Sequence, residues 1–189
     1  MKAKFICGRA RLLAALCVLA GACALPARAQ TSAGQLTVTL NVQSSISLIF
    51  QTNPASPAAG FCALTNSGTN NVGLDLGSAA FPGSSYVGCG SYSHIGSATY
   101  QVTSAFDVVV SKANTSSPNY RLAAQISTPP PANVTWLVNN IVLTNTGFTN
   151  LDAADNYGTP VTKTLQVQVK NNVPAQLLSE TITFLASAN

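Results

Sequence analysis

From Leu36 to Phe50 the apolar side chains fall on even-numbered positions: Leu36, Val38, Leu40 and Val42, then Ile46, Leu48 and Phe50, with mostly polar residues between them. A period of two puts all of them on one face of an extended chain. That is the pattern of a strand half-buried against a core, and an amphipathic helix cannot be built from it. Ser44 and Ser45 break the alternation, and the whole stretch is longer than a usual strand. It therefore reads as two strands, or as one strand bent at the serines.

Strand signals continue to the C-terminus. A short run follows at 72–76, then strand material at 98–103 and 106–112, where Asp107-Val-Val-Val110 is nearly all apolar. Residues 120–126 alternate after the turn-forming stretch 114–119. Residues 134–138 and 141–143 form a predicted hairpin about Asn139-Asn140, a favourable turn pair. Residues 161–169 alternate through Val161, Leu165, Val167 and Val169, with Lys163 the exception, and 179–185 close the chain with Ile182 and Phe184. Thr128-Pro-Pro-Pro131 is a stiff polyproline connection. No stretch has helical periodicity, and short strands separated by turn signals predict an all-β fold, a β-sandwich.

The N-terminus predicts export. Lys2, Lys4, Arg9 and Arg11 precede an apolar run, 12–25, and Ala27-Arg28-Ala29 supplies small residues at the positions signal peptidase reads. The run is too short for a membrane span, which needs about 20 apolar residues. Cleavage before Gln30 divides the chain into a signal peptide, 1–29, and a single domain, 30–189, with no transmembrane segment in the mature part. A second reading acylates Cys23 after Ala20-Gly21-Ala22.

Removing that leader reverses the charge argument. The whole chain has nine basic and five acidic residues, but from Gln30 onward only Lys112, Arg121, Lys163 and Lys170 face Asp75, Asp107, Asp152, Asp155 and Glu180, a formal charge of −1. The basic balance belongs to the export signal, so nucleic acid is not an expected partner. Three of the five cysteines also lie in the leader; the remaining pair, Cys62 and Cys89, predicts a disulfide in an oxidising compartment. It would staple two polar loops, 52–71 and 77–97. With one histidine and no CxxC spacing, two free thiols or a metal pair are the lesser alternative.

The machinery of catalysis is sparse. His94 is the single imidazole, sits in a Ser/Gly-rich loop, and no G-x-S-x-G elbow accompanies it. Asp152 and Asp155 are close in sequence, yet lack the spacing of a calcium loop and read as a solvated loop. Asp75 and Asp107 read as outward-facing strand residues, and Trp136 as core. Asn114-Thr-Ser116 and Asn133-Val-Thr135 match the glycosylation sequon, in a chain rich in Asn and Thr. No cofactor or metal is expected. Tyr86, Tyr92 and Tyr100, in or beside the second loop, are candidates for a ligand-binding platform.

Four segments together resemble the spore coat protein U domain, a relative of chaperone–usher pilin subunits. They are Asn41-Val-Gln-Ser-Ser-Ile-Ser-Leu-Ile-Phe50; Leu74-Asp-Leu-Gly-Ser78, similar to the family's L-D-F-G element; residues 106–124 with Asn119-Tyr-Arg-Leu122; and Val173-Pro-Ala-Gln followed by Ser179-Glu-Thr-Ile-Thr-Phe184. The resemblance implies an immunoglobulin-like sandwich whose subunits join when one donates its N-terminal strand to the next. Leu36, Val38, Leu40 and Val42 would be the donor residues; the alternative is that they form the first strand of their own sheet. The expected function is a secreted, non-catalytic structural subunit in the periplasm or at a bacterial cell surface, assembling by strand pairing. Its expected partners are like subunits or a periplasmic chaperone. The alternative function is an extracellular module that binds glycan or protein through the tyrosine-rich stapled loop.

Overall fold

The computed structural model describes residues 39–41, 43–56, 60–80 and 85–189. The expected signal peptide, residues 1–29 with Cys7, Cys17 and Cys23, and the donor candidates Leu36, Val38 and Val42 lie outside the described residues. From Asn41 to Asn189 the chain forms one compact unit.

Thirteen strands and no helix are found among the described residues. In chain order they are β1 (Ser45–Thr52), β2 (Leu64–Thr65), β3 (Gly73–Leu74), β4 (Ser78–Ala80), β5 (Ser85–Val87), β6 (Ser91–His94) and β7 (Thr99–Ala113). There follow β8 (Asn119–Ile126), β9 (Val134–Val138), β10 (Ile141–Val142), β11 (Thr149–Asn156), β12 (Val161–Lys170) and β13 (Ile182–Ala188). A six-stranded sheet runs β1-β7-β12-β9-β10, with β6 beside β1 on the same edge of β7; a three-stranded sheet runs β11-β8-β13. Every pairing between strands is antiparallel.

Both sheets contribute to one core, which makes the architecture sandwich-like. Phe106, Val108 and Val110 of β7, Val134, Trp136 and Val138 of β9, and Leu165, Val167 and Val169 of β12 meet Tyr120, Leu122, Ala124 and Ile126 of β8. Each set is spaced by two, so the alternation in the sequence is the alternation of faces. Each fully buried valine or leucine contributes about 1.5–3 kcal/mol.

Several local expectations take a sharper form. The two runs at 98–112 are one continuous strand, β7, long enough to pair with β6 at one end, β1 at the other and β12 along most of its length. The hairpin between β9 and β10 turns on Asn139 and Asn140, with φ of 51° and 65°. Two successive left-handed residues match the right-handed twist of the flanking strands, and asparagine tolerates that region better than most residues. Within the first alternating stretch β1 begins at Ser45, at the break that the serines marked; the described residues 39–41, 43 and 44 before it are not strand.

Candidate functional site

Strands β1 and β13 lie at the adjacent edges of the two sheets, and their polar backbone groups follow one rule. Phe50 N donates to Thr69 O and Phe50 O accepts from Gly68 N, so the polar groups of Phe50 point away from β7. By the period of two, those of Ile46 and Leu48 point the same way. On β13, Thr181 O accepts from Ser127 N and Asn189 N donates to Asn119 O, so odd-numbered residues face β8. Ile182, Phe184 and Ala186 therefore direct their N–H and C=O groups outward. No described strand pairs with either outer edge at these positions.

The same residues turn their side chains toward the core, where Ile46, Leu48, Ile182, Phe184 and Ala186 pack against it half-buried. Phe50, Phe106 and Phe184 form a ring cluster beneath them, with centroids 5.2–6.0 Å apart. The result is an apolar seam bordered by outward-facing donors and acceptors on both sides. One end of the seam is closed by the turn that bonds Phe50 and by Ser67 Oγ, which accepts from Thr52 N at 2.8 Å. At the other end, Asn114 Nδ2 donates to Gln43 O at 3.4 Å, and Ser117 bonds Asn189, so the two strands run in opposite directions. Leu40, the described donor candidate, is 85 % exposed.

The second candidate region is the stapled loop pair. Cys62 and Cys89 form the disulfide, with Cα atoms 4.9 Å apart. Cys62 is fully buried, and its N–H donates to Ser104 Oγ in mid-β7. Tyr86, Tyr92 and Tyr100 do come together, as a near-parallel stack with successive centroids 5.4 and 5.8 Å apart. It is not a flat exposed platform: Tyr100 is buried, the other two are half-buried, and the rings spend their faces on one another. Tyr86 Oη donates to Leu76 O and accepts from Gly90 N, which locks the ring into the loop. Burial holds the Tyr86 phenol above its ordinary range against the Gly90 bond that lowers it; burial also raises that of Tyr92, followed by Tyr100 beside it. Gly90 is required there, because a Cβ would stand 2.7 Å from Thr103 O. His94 is exposed and packs edge-on against Tyr100 at 4.3 Å.

The acids stand differently from their sequence readings. Asp152 and Asp155 are not in a loop but on β11, where two register shifts change the face they present. Asp152 lies opposite Leu122 and Asp155 opposite Tyr120, so three residues of β11 span two of β8. Both carboxylates consequently fall on the core side. There they meet Lys163, which shares the core face of β12 with Leu165, Val167 and Val169 and is 1 % exposed. Its Nζ lies 2.6 Å from Asp152 Oδ2 and 3.3 Å from Asp155 Oδ2. Beside them the Tyr120 phenol is pushed up to about 12, first by burial and then by Asp155, Asp152 and Tyr157. The signal for this cluster was the one charged residue in the β12 alternation; the bulges that bring the acids to it leave no pattern in the sequence.

Asp107 is also corrected. It faces away from the main core, as its parity requires, but it sits in a central strand and is 6 % exposed, accepting from Asn53 Nδ2 at 2.8 Å and Thr162 Oγ1 at 2.7 Å. Asp75 is exposed and accepts from Gly77 N, closing a turn. Trp136 is core.

No group of three or more metal-ligating side chains occurs among the described residues. Comparison with protein-family models, curated proteins and solved structures returned no match.

Proposed function

We propose that the chain is a secreted, non-catalytic structural subunit built on an immunoglobulin-like sandwich and assembled by strand pairing. The observation that carries this reading is the seam between β1 and β13. Its outward backbone groups and inward apolar side chains belong to the same residues, Ile46, Leu48, Ile182, Phe184 and Ala186. An inserted strand with alternating apolar residues would satisfy both at once.

Strand order supports the architecture. In sequence order β1, β7, β8, β9, β12 and β13 match strands A to F of an arrangement with ABED in one sheet and CFG in the other. The missing seventh strand would lie beside β13. The segment Leu36, Val38, Leu40, Val42 has the required alternation and immediately precedes β1. It would be supplied by a second copy, with a periplasmic chaperone holding the seam until then. The resemblance of the four sequence segments to the spore coat protein U domain points the same way, and a disulfide suits an oxidising compartment.

The test is to produce residues 43–189 under oxidising conditions and add a peptide of residues 34–43. Association of the truncated chain, reversed by the peptide together with a higher melting temperature, is the expected result. A cooperative monomer whose melting the peptide leaves unchanged would overturn the reading.

A binding module is the second reading, favoured by the stack of Tyr86, Tyr92 and Tyr100 beside the exposed His94. Saturable binding of a glycan, lost in Tyr92→Ala without change in assembly, would separate it from the first.

A further inference from the structure

Lys163 is a buried amine without a place in strand assembly. It stands on β12 in the six-stranded sheet, and both acids facing it stand on β11 in the three-stranded sheet. We propose that Lys163 and Asp152 condense into an amide between Nζ and Cγ, a covalent rung joining the two sheets.

Three features of the site favour this over a permanent ion pair. Water is largely excluded from the Lys163 side chain, which is 1 % exposed, and the half-buried carboxylates have Tyr120 as aromatic neighbour, its ring packed in turn against Tyr157. Three charges gathered there carry a heavy desolvation cost, and condensation leaves one. The two contacts also differ in kind. The longer one, to Asp155, meets hydrogen-bond geometry; the 2.6 Å approach to Asp152 does not, and Asp152 Oδ2 has no hydrogen-bond partner. Nζ is thus beside the Asp152 carboxyl without being aligned on its oxygen. Asp155 holds an N–H from the same nitrogen, as a proton carrier must.

The step balances without any other reactant. A proton passes from the ammonium to the Asp152 carboxylate, giving amine and carboxylic acid. The nitrogen lone pair then adds to Cγ, forming the C–N bond. Asp155 takes a proton from the nitrogen and returns it to the departing hydroxyl, the C–O bond breaks, and one water leaves. A lysine amine is a competent nucleophile once neutral, and holding it against the carboxyl replaces an encounter in solution.

The full exported chain is denatured, digested with trypsin and weighed by mass spectrometry. Between Arg121 and Lys170 the one internal trypsin site is Lys163. The expected product is a peptide of residues 122–170, uncut after Lys163 and lighter than its sequence by one water, with fragment ions joining Asp152 to Lys163. Lys163→Arg restores cleavage and gives both halves at full mass; Asp152→Ala does the same. Wild-type peptides 122–163 and 164–170 at full mass overturn the proposal. So does a loss of water in a chain still cut after Lys163, which would mark cyclisation at an aspartate. The wild-type digest decides by itself, even if neither variant folds.

Discussion

Phe184 of β13 meets Phe50 of β1 edge-on, with ring centroids 5.2 Å apart, so an edge strand of each sheet is held to the other at the floor of the seam. Phe50 is buried while Phe184 is half-buried, which makes Phe184 the ring an incoming strand would cover. Phe184→Ala removes contacts to both Phe50 and Phe106. Fully buried phenylalanines cost about 3–5 kcal/mol on truncation, and the half-buried ring should cost about 2–3 kcal/mol. Urea denaturation measures this, and a loss below about 0.5 kcal/mol, the scale of an ordinary surface change, would show that the ring is not part of the core.

Glu180 fastens the start of β13 to the end of β8. Its carboxylate accepts from the backbone N–H and hydroxyl of Ser127, the backbone N–H and hydroxyl of Thr128, and the N–H of Thr181. Burial alone would raise this carboxyl, but the hydrogen bonds outweigh it and leave the group below its ordinary 4.5. A carboxyl that ionises more readily folded than unfolded stabilises the protein above its unfolded value. That stability is lost as pH falls through the lower, folded value. Wild-type and Glu180→Gln proteins should differ in melting temperature at neutral pH and converge in acid. Parallel curves across that range would refute the role assigned to the clamp.

Tyr120 provides a contrast. Its ring is fully buried among Leu122, Val108 and Val110, yet its hydroxyl finds no hydrogen-bond partner among the described residues. A buried polar group without a partner carries a desolvation cost of about 1–3 kcal/mol. Tyr120→Phe keeps the ring and removes that cost, so its stability should equal or exceed that of the wild type. Destabilisation by more than about 1 kcal/mol would show that the hydroxyl has a partner, a full hydrogen bond being worth that much.

The alternation that predicted the strands also set which residues line the seam once β1 and β13 are known to be edge strands, because on an edge strand one parity sets both the buried side chains and the outward backbone. Ile46, Leu48 and Phe50, and Ile182 and Phe184, were legible for that reason. β11 was not: Thr149-Asn-Leu-Asp-Ala-Ala-Asp-Asn156 has one large apolar residue, and two bulges destroy whatever period remains. Its pairing with β8 is fixed by tertiary contact, chiefly the buried Leu151 and the Lys163 cluster, which local propensity does not encode. The pairing of β6 with the first residues of β7 was hidden in the same way, in a stretch of serine, glycine and tyrosine that reads as loop. The outward reading of Asp107 had the right face but the wrong burial, since alternation says nothing about whether a strand is central or at an edge.

The stapled loops make the last test. The described residues between 60 and 94 hold only short strands, β2 to β6, and few core side chains, so packing among them contributes little. The Cys62–Cys89 bond closes a loop across a separation of 27 residues. On the loop-entropy account this constrains the unfolded chain by about 3–4 kcal/mol. The paired change Cys62→Ser with Cys89→Ser should lower stability by that order. It should also loosen the bonds from Tyr86 to Leu76 and Gly90, because Gly90 is the immediate neighbour of Cys89. Hydrogen exchange resolves the two effects: the amide of Gly90 should exchange far faster in the variant, relative to its global stability, while amides of β8 and β12 follow global unfolding. Uniform acceleration across β8, β12 and Gly90 would mean that the staple acts on the unfolded chain alone and does not hold the tyrosine stack in place.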